Sequence, residues 1–363
     1  MNFYSCYNLF VKERGKIMTK RKLNIEFIRI FAVIMTISIH VSNLYLNSFG
    51  NIPNSFFGFG AVFNSFARVC VPLFFMISGA FALEKEFDRK KYLERIFKFL
   101  IILIAWSAIY YFCKSGFGIK NLGKVITNSF FNANMTSRHL WYMYPLIGIY
   151  LALPFIQNMC KNMSRELENL FLILWFCLSG LSVAFLPLAK FITKTDIEIS
   201  YPVPLLNSAY YLGYFIAGHI LYKRFKNIEL SKKQNILLIF GYILSSSASA
   251  IITYFVSLKI NRLCEPTGWY KSALIILATA CIFILFANKE NTFKSPIISL
   301  FSSQTFGIYL SHMLFLNIIK KCIVITDINP LISVPVITLI VYLASWIFSL
   351  ILSKIPLLKK LIA

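Results

Sequence analysis

The chain has 363 residues, of which 58% are hydrophobic and 17% are aromatic. That composition excludes an ordinary soluble domain and indicates a multi-pass membrane protein, for which one helical bundle is the simplest architecture. The net charge of +23 would suggest nucleic-acid binding in a soluble protein. Here the basic residues lie between the apolar runs, so membrane topology and anionic lipid account for them better, and we expect no nucleic-acid partner.

The apolar runs predict an all-α, polytopic bundle of about ten transmembrane helices. The predicted spans are residues 23–43, 57–83, 97–114, 139–157, 168–187, 205–222, 235–257, 271–287, 298–319 and 333–353. If the N-terminus is inside, the inside segments hold roughly twice as many Lys and Arg residues as the outside segments, which predicts that both termini are cytoplasmic.

These spans divide the chain into a basic cytoplasmic N-terminus (residues 1–22), a transmembrane domain (23–353) and a cytoplasmic tail (354–363). Residues 1–17 do not resemble a signal peptide, because a basic stretch follows them and no cleavage site is visible. The residues Met18-Thr-Lys-Arg-Lys are typical of the N-terminus of a chain just before its first span. On that interpretation residues 1–17 are an upstream mis-start.

The first span contains three ionisable residues, Glu26, Arg29 and His40. Arg29 and His40 are eleven residues apart, so on a helix they share one face and lie about 16 Å apart along the axis. Glu26 is one turn from Arg29 and can pair with it. Each such residue costs about 2.5–3.5 kcal/mol at a bilayer centre, so this face is expected to line a polar cavity. In the alternative interpretation, Glu26 and Arg29 lie at the cytoplasmic lipid headgroups and neutralise each other. That alternative does not explain His40.

The second span contains Arg68, far from either membrane interface. An arginine at that depth needs an anionic partner or a hydrated cavity. Pro72, four residues later, predicts a kink there. The alternative to a functional role is a structural arginine that holds two helices together.

A charged segment after the second span contains Arg89, Arg95 and Lys98. Arg95 and Lys98 are one turn apart at the predicted cytoplasmic mouth of the third span, where fixed cations suit the phosphates of a nucleotide-like ligand. An ordinary positive-inside flank is the alternative interpretation.

Further polar and aromatic residues lie in the fourth and ninth predicted spans: His139, Trp141, Tyr150 and His312. A His and Trp at an outer interface are typical of an aromatic belt, whereas a lone His within a span indicates a functional site. The eight cysteines are scattered without metal-ligand spacing, so we expect no metal site.

Six motifs follow one another along the chain: Arg29-x10-His40, Val71-Pro-Leu-Phe-Phe-Met-Ile-Ser-Gly79, Arg95-x-x-Lys98, His139-Leu-Trp141 with Tyr150, Tyr214-Phe-Ile-Ala-Gly218 and Gly307-Ile-Tyr-Leu-Ser-His312. Together and in this order they resemble the acyltransferase 3 family over residues 22–350. The resemblance is greatest to the branch that O-acetylates bacterial surface polysaccharide such as enterobacterial common antigen. Two positions depart from the family pattern: Glu26 stands where Asp is common, and Lys98 where Arg is common. Both changes keep the charge, but Lys lacks the planar fork of Arg.

The resemblance implies an integral O-acetyltransferase of the bacterial inner membrane. Its donor would be acetyl-CoA, with no permanently bound cofactor, and its acceptor a glycan or lipid-linked oligosaccharide. His40 would act as general base or acetyl carrier, and Arg29, held by Glu26, would orient ligand or stabilise negative charge. Arg68, His139, Trp141, Tyr150 and His312 would bind substrate, and Arg89, Arg95 and Lys98 would bind the donor.

Two other classes remain open from the residues alone. A transporter or flippase for an anionic or sugar substrate would use the buried Arg and His residues as a binding site or proton relay. A structural protein of the cell envelope would tolerate replacement of His40. Consumption of acetyl-CoA by membranes that contain the protein separates an enzyme from both.

Overall fold

The computed structural model describes residues 23–115, 138–181, 204–288 and 295–362. Within those ranges the chain is helical and contains no strand, which confirms the predicted all-α class. The predicted N-terminal segment (residues 1–22) and the end of the predicted fifth span (182–187) lie outside the described residues.

Each predicted span coincides with helical structure in the described part of the chain. The first seven helices are α1 (Leu23–Asn47), α2 (Asn54–Ala67), α3 (Cys70–Ala82), α4 (Arg89–Ser115), α5 (Met143–Leu151), α6 (Leu153–Lys161) and α7 (Arg165–Trp175). The next seven are α8 (Pro204–Phe225), α9 (Lys232–Ile260), α10 (Ala273–Ala287), α11 (Pro296–Ser303), α12 (Thr305–Cys322), α13 (Pro330–Lys354) and α14 (Pro356–Lys359). A 3-10 turn (Arg138–Tyr142) leads into α5.

Five stretches of the described chain are long and apolar enough to cross a membrane: α1, α2 with α3, α4, α9 and α13. A sixth is the segment from Arg138 to Lys161, which bends by 61° between α5 and α6. The protein is therefore a multi-pass membrane protein. The count of ten spans and the orientation of the termini stay predictions.

A break at Arg68 and Val69 separates α2 from α3. Pro72 has no backbone N–H, so the Arg68 carbonyl receives no helical hydrogen bond from it, and regular bonding resumes where Leu73 N–H donates to the Val69 carbonyl at 3.0 Å. The helix is interrupted near the predicted position, which places Arg68 at the irregular point of the span. The predicted change of helix direction stays a prediction.

Helices α3 and α8 pack in direct backbone contact through two glycines. A Cβ atom on Gly79 would lie 1.7 Å from the Phe215 carbonyl oxygen, and one on Gly218 would lie 2.2 Å from the Met76 carbonyl oxygen. Small residues permit this close approach, which gives membrane helices dense packing where the hydrophobic effect supplies little.

The connection from α9 to α10 turns back into the bundle instead of staying at its surface. Thr267 hydrogen-bonds Ser249 (Oγ1 to Oγ, 3.1 Å), eleven residues before α9 ends and hence about 16 Å down its axis. The Ser257 hydroxyl accepts from the Cys264 N–H at 2.9 Å. We call residues 261–272 the re-entrant loop.

The length of α10 agrees with this path. The 15 residues of α10 extend about 22 Å, less than the roughly 30 Å of a hydrocarbon core. The loop descends to the level at which α10 begins, and buried hydroxyls on α9, among them Ser249 and Ser257, satisfy its backbone and side chains.

Cysteine labelling tests the predicted orientation. In a variant whose eight natural cysteines are replaced, Cys at position 48 should react with an impermeant maleimide added to intact cells, because Ser48 follows α1 on the predicted outer side. Cys at positions 88 and 228 should react only after the membrane is opened. The reverse pattern would invert the orientation, and with it the sides assigned to donor and acceptor.

The glycine contact predicts a stability difference. Gly79→Ala should destabilise the protein by roughly 1–3 kcal/mol, because the added methyl group must displace the backbone of α8. Thermal unfolding in detergent measures the effect. Gly58→Ala is the matched control, since its Cβ would meet only the Tyr254 ring at 3.2 Å. Equal stability of the two variants would contradict the close packing of α3 and α8.

Candidate active site

Three of the four histidines lie together in the interior of the bundle. The ring centroid of His312 is 5.1 Å from that of His40 and 5.0 Å from that of His139, and the His40 and His139 rings are 6.5 Å apart. His139 and His312 are buried, whereas His40 is partly exposed. We call these three residues the histidine cluster.

Each member of the cluster comes from a different part of the chain. His40 lies near the C-terminal end of α1, His139 in the 3-10 turn before α5, and His312 in the middle of α12. The three histidines belong to three different predicted spans, and only the folded bundle brings them together. The described residues contain no group of three or more His, Cys, Asp or Glu side chains arranged to hold a metal ion.

Backbone hydrogen bonds orient two of the rings. His312 donates from Nδ1 to the Tyr309 carbonyl at 2.6 Å, which leaves the lone pair on Nε2, and that atom has no hydrogen-bond partner in the described part of the chain. His139 donates from Nε2 to the Leu310 carbonyl at 3.3 Å. The Tyr309 hydroxyl donates to the His139 carbonyl at 2.7 Å and ties the 3-10 turn to α12.

A cleft of about 670 Å³ opens at the end of the bundle that the charge distribution predicts to be cytoplasmic. Basic side chains dominate its charged lining: Arg29, Lys85, Lys91, Arg95 and Lys98, against the single acid Glu94. Asp88 pairs with Lys91 at 2.8 Å, outside the lining. We call this space the cationic cleft, and its charge suits a polyanionic ligand.

A side chain of the cleft lining packs against the histidine cluster. Tyr309 lines the cleft, and its ring centroid is 6.0 Å from that of His139 and 6.2 Å from that of His312. Tyr142, which also lines the cleft, packs 5.6 Å from Tyr309. One layer of tyrosine side chains therefore separates the cleft from the imidazoles.

The structure brings most of the predicted donor-side residues to the cleft. The Arg29 guanidinium lies 5.8 Å from the Phe81 ring, and that of Arg95 lies 5.4 Å from the Tyr150 ring, which also lines the cleft. Glu26 is buried, one turn from Arg29 on α1. Arg89 begins α4 and is not part of the lining.

Arg68 lies on the other side of the histidine cluster, and Glu265 supplies its anionic partner. An Arg68 Nη–H donates to a Glu265 carboxylate oxygen, and Nε–H donates to Asn64 Oδ1 at 2.8 Å. Asn64 in turn donates to the Ile39 carbonyl (3.4 Å) and to Asn43 Oδ1 (2.8 Å). Ile39 directly precedes His40, so this network borders the turn of α1 that carries His40.

Three aromatic rings form a group that contacts Arg68 through one of its members, Tyr270. The Trp141 ring lies 5.7 Å from that of Tyr270 at an interplanar angle of 25°, and 5.5 Å from that of Tyr211. The Arg68 guanidinium carbon is 6.0 Å from the Tyr270 ring. The Tyr214 hydroxyl donates to the Tyr270 carbonyl at 2.5 Å and fixes this part of the re-entrant loop.

Sequence reasoning missed Glu265, Tyr211 and Tyr270. The available signal for Glu265 was Arg68 itself, since an arginine in a span requires a partner and the chain has only 14 acidic residues. The apolar runs predict that residues 259–271 form an outer loop, and such a loop is not where an anionic partner for Arg68 within a span is expected.

The chain is thus a multi-pass membrane protein with three histidines in its interior and an adjoining cleft lined mainly by basic side chains. A family model described as an acyltransferase domain matches residues 22–352, nearly the whole chain. The chain belongs to the acyltransferase 3 family and is a membrane acyltransferase. No match was found among curated proteins or among solved structures.

Proposed function

We propose that the protein is an O-acetyltransferase of the bacterial cell membrane, which moves an acetyl group from acetyl-CoA to a hydroxyl of a lipid-linked surface glycan. The observation that carries the proposal is the cationic cleft, whose lining residue Tyr309 packs against the histidine cluster. A charged entrance and a base-containing interior are what a polyanionic acyl donor and a transfer reaction require.

The donor fits the cleft by charge and by length. Acetyl-CoA is made in the cytoplasm, and its nucleotide phosphates would bind Arg95 and Lys98 at the mouth. Its long pantetheine arm would extend inward past Arg29, towards Tyr142 and Tyr309. The nucleotide then stays outside the hydrocarbon while the thioester approaches the histidine cluster.

The chemistry needs one base and a source of positive charge. The acceptor hydroxyl oxygen forms a bond to the acetyl carbon, the carbon–sulfur bond breaks, and His40 moves the hydroxyl proton to the departing CoA sulfur. Arg29 or Arg68 would stabilise the negative charge that develops on the carbonyl oxygen. In the second form of the reaction His40 carries the acetyl group between donor and acceptor.

His40 is the strongest candidate for the reacting imidazole because it is the partly exposed member of the cluster. His139 and His312 are fully enclosed, and backbone carbonyls hold their rings. They would orient His40 and the substrate. Family membership favours acyl transfer over transport. Consumption of acetyl-CoA would distinguish the two, because a transporter would not consume it.

Replacing His40 tests the role of the base. His40→Ala should lower acetyl transfer at least ~100-fold while the protein still inserts, because α1 stays apolar and helical. Transfer of radiolabelled acetyl to glycan in membranes measures the loss, and Arg29→Lys should also be severe if the planar guanidinium is used. His219→Ala is the control, a buried histidine on α8 that is not a member of the cluster. Retained activity in His40→Ala would move the role to His312 or His139.

Charge reversal tests the donor site. Arg95→Glu with Lys98→Glu should raise the KM for acetyl-CoA much more than the KM for the glycan, because the phosphates lose their partners. High salt should reproduce part of the effect on the unmodified protein. Lys232→Glu with Lys233→Glu makes the same change in charge at the exposed start of α9 and should leave both constants unchanged. An unchanged KM for acetyl-CoA in the first variant would remove the donor from this cleft.

A whole-cell measurement addresses the activity itself. The mass of the surface glycan should differ by one acetyl group per repeat unit between cells with and without the gene. Identical glycans, together with no consumption of acetyl-CoA by the membranes, would contradict the proposed function.

A further inference from the structure

We propose, on the basis of the acetyl transfer described above, that the re-entrant loop forms the acceptor site and that this site selects an uncharged sugar ring. Glu265 and Tyr270 of the loop, together with Arg68, Trp141 and Tyr211, would bind the sugar beside His40.

The first argument is the position of the loop. Residues 261–272 descend about 16 Å along α9, and only this descent brings Glu265 to Arg68. The Arg68–Asn64 bond then connects the loop to the Ile39 carbonyl, next to His40 on α1. The cationic cleft reaches the histidine cluster past Tyr309, which is not part of this network. Donor and acceptor would therefore approach His40 by separate routes.

The second argument is charge. The cleft presents several cations against one acid, whereas Arg68 is already neutralised by Glu265. The side chains of Arg68 and Glu265 remain 14% and 27% exposed, so neither is completely enclosed by protein. A paired guanidinium and carboxylate offer donors and acceptors to sugar hydroxyls, but a second carboxylate beside Glu265 would be repelled.

The third argument is the aromatic surface. Trp141, Tyr211 and Tyr270 are each only partly buried, and their rings lie within 6.5 Å of one another beside Arg68. The C–H face of a pyranose ring is apolar while its rim carries hydroxyls. Aromatic faces beside a hydrogen-bonding ion pair match both parts of such a ring.

Matched acceptors test the preference for an uncharged sugar. The reconstituted protein is given acetyl-CoA with octyl glucoside, galactoside or mannoside, or with the octyl uronide of the same sugar. At least one neutral glycoside should be acetylated with a kcat/KM about tenfold or more above that of its uronide, which is the usual effect of one interaction with a charged group. Equal use of both members of each pair, or use of no neutral glycoside, would overturn the proposal.

Glu265→Gln tests the origin of that preference. The variant should raise the KM for the neutral acceptor and reduce the discrimination against the uronide, while the KM for acetyl-CoA changes less. Glu265→Asp should recover part of the discrimination because it keeps the charge. Glu84→Gln removes the partner of Lys226 on another part of the bundle and is the control. It should leave the KM for the neutral acceptor and the KM for acetyl-CoA unchanged.

Tyr270 gives a second variant pair in case Glu265→Gln fails to fold. Tyr270→Leu should raise the acceptor KM more than Tyr270→Phe, since only Phe keeps the aromatic face. Acetylation with unchanged discrimination in Glu265→Gln, or equal acceptor KM values in the two Tyr270 variants, would refute the acceptor site and leave the proposed acetyl transfer intact. Failure of the unmodified protein to release CoA with any acceptor would refute both.

Discussion

A charged side chain inside a bilayer must meet an opposite charge or water, and the architecture of this protein follows from that requirement. Arg68 meets it through Glu265, and the position of Glu265 requires a loop that enters the membrane. The loop in turn requires hydroxyls along α9 to satisfy its polar groups and a short α10 to begin where it ends. The serines of α9 and the short length of α10 are thus consistent with the requirement of one cation within a span.

The same requirement separates the two sides of the site. Arg29, Arg95 and Lys98 line a cleft that opens at one end of the bundle. Arg68 faces the interior from the other side of the histidine cluster and is held by its partner. Basic side chains outnumber acidic ones in the lining of the cleft, whereas Arg68 is paired with an acid of the re-entrant loop. The histidine cluster lies between these two environments.

Parts of the site that lie on one helix were predictable from the sequence. Arg29 and His40 are on α1, so the helical repeat alone fixes their common face and separation. Arg95 and Lys98 are likewise one turn apart on α4. The apolar runs located the helices, since hydrophobicity in a bilayer is a property of each segment on its own.

The contacts that complete the site come from segments far apart in the chain, and periodicity within a segment carries no information about them. His139 and His312 join His40 only because the 3-10 turn before α5 packs against α12. The same limit applies to Glu265. Its loop is polar and carries basic residues, which is typical of a surface connection, and only the buried serines of α9 indicate that the loop turns inward.

The glycine contact between α3 and α8 has a mechanical consequence. At Gly79 and Gly218 the two backbones meet without space for a methyl group, so neither helix can slide or rotate against the other. Helix α3 follows Arg68 directly and carries Ser78 and Phe81 of the cleft. The pair therefore forms a rigid unit that borders the cationic cleft. On the proposed function, a movement that admits a nucleotide would more readily involve α4, whose first turns are exposed and line the cleft.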